Sequence, residues 1–177
     1  MIRRLQLATI VLIVIAGTVD AQQGSDWIKF EPLGGGFTVL MPSKPEEEIK
    51  NTDDFTMHLF TFATESTIYL ASYGDYAPSV RIDVDSLLAA NRDNFAEGLN
   101  ARVIASKSIT MDGRPGLEFT AQNSEAWIKS RIFLFGNRVH QIAVATPNGE
   151  TENARRFLSS FAFTGVSTPP KQSELGP

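Results

Sequence analysis

Few side chains in this 177-residue chain could carry chemistry: two histidines, His58 and His140, 20 carboxylates and no cysteine. The missing cysteine removes any thiolate nucleophile, any thiolate metal ligand and any disulfide. His140 stands inside the apolar run RIFLFGNRVHQIAVATP, and His58 inside TMHLFTFAT. An imidazole can act as a general base or a metal ligand when a carboxylate orients it and a nucleophile or further donors converge on it. The local sequence supplies no such company: there is no GxSxG elbow, no HExxH and no paired histidine. No catalytic residue, metal site or cofactor is therefore assigned. The pattern reads as a histidine on a strand face with no reaction to perform. The competing reading is a small hydrolase or small-ligand enzyme that uses His140 or His58 with Asp75 or Glu118.

The strands that must position His140 lie between Val103 and Pro147. Apolar residues there recur at every second position in four runs, VIASKSITM, PGLEFTAQN, AWIKSRIFLF and RVHQIAVATP, joined by short turn-forming links. An antiparallel meander follows. If Gly136-Asn137 is a two-residue loop, counting outwards puts Phe135 opposite Arg138, Phe133 opposite His140 and Arg131 opposite Ile142. The other face then carries Leu134, Ile132 and Ser130 against Val139, Gln141 and Ala143, with no charge. Taking Ser124-Glu125 as the preceding loop sets Leu117, Phe119 and Ala121 against Ile132, Ser130 and Ile128, and Glu118 against Arg131. A three-residue loop at Asp112 to Arg114 brings Ile109, Lys107 and Ala105 to the uncharged side, where Lys107 fits poorly. His140 falls on the mixed face among Lys129, Arg131, Phe133 and Arg138, and these five residues form the expected interaction patch.

Upstream, GGGFTVLMPSKPEEE holds a glycine turn, a short strand from Phe37 to Met41 and a solvated acidic run. Those glycines precede a strand rather than open a helix, so they do not make a phosphate cradle. TMHLFTFAT and TIYLASYGDY read as a hairpin about Glu65-Ser66. In IDVDSLLAANRDNFAEGLN the period changes: Val84, Leu88, Asn91, Phe95 and Leu99 mark an amphipathic helix over 83–99, capped by Asp83 or Asp85. A second helix is expected over 149–160 through Ala154, Phe157 and Leu158.

At the amino end, Arg3 and Arg4 precede an uncharged run from Leu5 to Val19 and the small-residue sequence Val19-Asp20-Ala21. Residues 1–21 read as a cleaved export signal, because the run falls short of the ~20 residues a spanning helix needs. A periplasmic or secreted protein without a stable membrane span follows. A net charge of −4 argues against nucleic acid as a partner, since a polyanion is bound by a basic surface. Residues 22–29 are expected as a lead-in, 30–164 as one domain, and 165–177 as a disordered polar tail.

The order of leader, GFTVLMPSKPEEE, long hairpin, helix, the meander with DGRPGLEF and RIFLFGNRVHQIAV, and the closing ARRFLSSF resembles the PsbP-like family over Phe30 to Phe163. That family includes the extrinsic photosystem II protein, a nuclear-import factor that binds the small GTPase Ran, and exported bacterial proteins of unknown role. The resemblance implies an α+β fold. Its form is an αβα sandwich with a central antiparallel sheet of about six or seven strands flanked by the two helices. It also implies an accessory or binding module acting on another protein or a cell-envelope component. No photosystem or GTPase contact residue carries over.

Overall fold

A computed structural model describes residues 27–165. The expected leader, most of the lead-in and the tail from 166 lie outside the described residues. The strands are β1 (Ile28–Phe30), β2 (Phe37–Met41), β3 (Glu46–Asn51), β4 (Phe55–Ala63), β5 (Ile68–Tyr76), β6 (Arg102–Met111), β7 (Arg114–Gln122), β8 (Trp127–Phe135), β9 (Arg138–Thr146) and β10 (Ala162–Phe163). The helices are α1 (Val84–Gly98) and α2 (Glu152–Ser159). Seven strands pair antiparallel in the order β3-β4-β5-β9-β8-β7-β6, and a small sheet runs β1-β2-β10. The molecule is mostly antiparallel sheet with two helices. β1 begins inside the stretch expected as lead-in, and the solvated acidic run forms the exposed edge strand β3, paired to β4 from Glu46 to Asn51.

The ladders between β7, β8 and β9 follow the counted register: Phe133 pairs with His140, Arg131 with Ile142, Leu117 with Ile132 and Glu118 with Arg131. The link before β7 is shorter than expected. Asp112 (φ 50°) and Gly113 (φ 74°) both take left-handed backbone, as a two-residue hairpin turn requires. Met111 therefore pairs with Arg114 and Lys107 with Glu118. Lys107 and Ile109 move to the mixed face, and the poor fit of Lys107 disappears.

The helices cover opposite faces. Leu88, Phe95 and Ala96 of α1 pack on the uncharged face against Phe119, Ile132 and Leu134. Ala154, Phe157 and Leu158 of α2 pack on the mixed face with Phe37, Val39 and Met41 of β2, against Tyr69, Ile142 and Val144. The second cover is thus a helix plus a small sheet. Asp83 caps α1, its Oδ1 accepting from Ser86 N at 2.9 Å. Thr151 caps α2 by accepting from Ala154 N at 3.1 Å. Gly149 (φ 96°) cannot be helical, so α2 starts later than the 149 expected from spacing.

Candidate functional site

The mixed face carries an unusual piece of local structure where the chain passes from β1 to β2. Gly35 N donates to the Pro32 carbonyl at 3.0 Å, closing a turn over Pro32-Leu33-Gly34-Gly35. Gly34 (φ 72°) and Gly36 (φ 68°) need the left-handed region. At Gly35 an added Cβ would lie 2.6 Å from the Pro32 ring. Three successive carbonyls of this turn each accept a hydrogen bond from a side chain of the sheet. Tyr73 Oη donates to Leu33 O (3.2 Å), Arg138 Nη1 to Gly34 O (2.7 Å) and His140 Nε2 to Gly35 O (2.8 Å). At the tip of the clamped turn Leu33 is 99% exposed.

His140 holds this turn from below. It is 5% exposed, paired with Tyr73 on one side and Phe133 on the other, with Phe37 and Phe163 edge-on to its ring. A carbonyl can only accept, so Nε2 carries a proton, and the lowered pKa keeps the ring neutral near pH 7. Nδ1 is buried without a partner. Burial, with lesser help from the Arg138 and Arg114 charges, lowers its pKa from 6.5 to about 4, against the opposing pull of the Gly35 bond and Asp75.

The pairings that chemistry would need are not assembled. Asp75 is held by Arg138 Nε and Nη2 at 2.7 and 2.6 Å. Glu118 sits among Arg131 (2.7 Å), Lys107 (3.0 Å) and Lys129 (3.9 Å). His58 stacks on Tyr73 with centroids 4.5 Å apart, and its Nδ1 lies 2.9 Å from Glu47. Neither histidine is bonded to Asp75 or Glu118. Among the described residues no three His, Asp or Glu side chains converge as metal ligands. A depression lined by Leu99, Asn100 and Asn123 to Glu125 lies by the β7–β8 turn, the sheet end opposite His140, and contains neither histidine.

The expected interaction patch needs correction. Phe133 (1% exposed) and His140 lie under β2 and the residues around β10, so neither can meet a partner. Lys129 is paired with Glu150 at 3.0 Å, Arg131 with Glu118 and the Leu158 carbonyl, and Arg138 with Asp75 and Gly34. The basic strip is largely neutralised from within. Counting along strands placed the five residues on one face correctly, but it could not reveal that the glycine turn and β2 fold over that face. Sequence reading passed over Leu33, whose only signal was a leucine standing before three glycines.

The solution structure of cyanobacterial PsbP (CyanoP) from Synechocystis sp. PCC 6803 superposes with a TM-score of 0.56 at 9% identity, covering 84% of this chain and 98% of that one. The chain has the PsbP fold. A crystal structure from Bacteroides thetaiotaomicron VPI-5482, with a TM-score of 0.40 and 12% identity over 77% of this chain and 48% of that one, carries no structural argument. No family model matches the sequence, and no curated protein does. At 9% identity the PsbP fold fixes the arrangement of strands and leaves the site to be argued from its own residues.

Proposed function

We propose that this chain is an exported, non-enzymatic accessory protein of the periplasm or the secreted space that binds another protein through the surface presented by Leu33. One observation carries the reading: a fully exposed leucine stands on a turn whose three carbonyls are each held by a sheet side chain. A single exposed leucine is ordinary on a protein surface. A leucine fixed in place is different, because a partner's apolar pocket can take it without first ordering the loop. The sandwich of α1, the large sheet, and α2 with the small sheet then serves as a rigid mount. The acidic balance fits a protein partner better than nucleic acid.

The experiment is site-specific photo-crosslinking in the intact cell envelope, with the photoreactive residue at position 33 and, as a control, at Asp93 on α1. The expected outcome is one discrete adduct from position 33 that is absent from position 93. Equal labelling from both positions would remove Leu33 as the contact.

A further inference from the structure

Arg114 opens β7 beside the Asp112-Gly113 turn and is 6% exposed. A guanidinium taken out of water needs an anion or a full set of acceptors, and among the described residues Arg114 finds neither. Nη1 makes one long hydrogen bond, 3.4 Å to the Asp112 carbonyl. Among the described residues no carboxylate lies within ion-pair distance of it. Two aromatic rings lie against it: Cζ is 4.0 Å from the Phe163 centroid and 5.1 Å from that of Phe135.

The guanidinium is nonetheless not sealed. Among the described residues, His140 Nδ1 alone is a side-chain polar atom both closed to water and without a partner. Nε and Nη2 of Arg114 donate to no partner among the described residues, yet neither is fully closed to water. The neighbouring charges are already committed: Arg138 holds Asp75 and Gly34, and His140 is neutral.

We propose that Arg114 is the anchor of a binding site for a single carboxylate, which caps the open N–H groups of this guanidinium. One cation with no second free cation beside it among the described residues matches a monoanion. A phosphate group, carrying close to two charges, would be left undercompensated. The flanking rings keep water from competing and strengthen the contact. The carboxylate can belong to a bound protein or to a free organic acid.

The test is NMR titration of the whole protein, reading the Arg114 Nε–H and the Gly113 and Phe163 amides. The probes are acetate, N-acetyl-alanine as a chain-terminus mimic, phosphate and chloride at matched ionic strength. The proposal expects saturable shifts confined to these signals with the two carboxylates. Tighter saturation by N-acetyl-alanine assigns a chain terminus, and equal saturation assigns carboxylates generally. Arg114→Lys, which keeps the charge and loses the planar fork, weakens saturation by about tenfold or more at the amide signals. Three results would overturn the site: shifts that stay linear and match chloride, saturation at lower phosphate than acetate, or amide shifts unchanged in Arg114→Lys. Should that variant fail to fold, the wild-type Nε–H titration decides alone.

Discussion

His140 gives its single N–H to Gly35 and keeps Nδ1 bare in a buried site, so a second proton there would be a donor with no acceptor. Arg138 and Arg114 face it with positive charge, and Asp75, already held by Arg138, offers only partial relief. Between pH 6.5 and about 4 the unfolded chain takes up a proton at this position that the folded chain refuses. Stability is therefore complete above pH 6.5 and declines as pH falls towards 4, by roughly 3 kcal/mol over that window. His140→Gln offers Gly35 an amide N–H without titrating. Urea unfolding midpoints measured across this pH range should fall steeply for the wild type and more gently for His140→Gln. Equal slopes would mean that the imidazole is protonated in the folded state after all.

At the scale of elements, the meander is held in register by its turns, and Glu118 is where three strands report on it. Its carboxylate, 8% exposed, meets Lys107 from β6 and Arg131 and Lys129 from β8. Burial pushes its pKa up, but the hydrogen bonds from Arg131 and Lys107 and the nearby positive charges outweigh that and leave it below the usual carboxylate value. Its stabilisation is present above the ordinary 4.5 and is lost as pH falls through the lowered value, a window beneath that of His140. Glu118→Gln removes the charge at the buried end of this network, leaves the half-buried Arg131 underpaired and should cost roughly 2–3 kcal/mol in urea unfolding at neutral pH. Lys107→Met, at a side chain 68% exposed, should cost under about 1 kcal/mol. A larger loss from Lys107→Met than from Glu118→Gln would displace the carboxylate from the centre of this network. The pairing of Glu118 with Arg131 was legible in the sequence, because alternating residues around two-residue turns admit one register. The place of Lys107 was not: it depended on Asp112 taking a left-handed conformation, which the residue type permits without requiring. The clamp on Leu33 was less legible still, since Tyr73, Arg138 and His140 reach the turn only after β2 has crossed the sheet.

The whole molecule is one large sheet with a different cover on each face, and the sheet itself is what makes the two covers one folding unit. β8 and β9 contribute Ile132 and Leu134 to the α1 side, and Phe133, Ile142 and Val144 to the side of α2 and β2, so alternate residues of the same strands belong to different cores. Losing either cover exposes one face of strands that the other cover also needs. Phe157→Ala in α2 and Leu88→Ala in α1 each remove a buried side chain and should destabilise by roughly 3–5 and 2–5 kcal/mol. Both tryptophans pack on the α2 side, with Trp27 edge-on to Tyr69 at 5.5 Å, so their fluorescence follows that side while far-UV circular dichroism follows the whole sheet. In both variants the two signals should trace a single urea transition, shifted to lower midpoint. If Leu88→Ala loses dichroism before tryptophan fluorescence changes, the faces unfold independently, and the turn bearing Leu33 draws its rigidity from the α2 side alone.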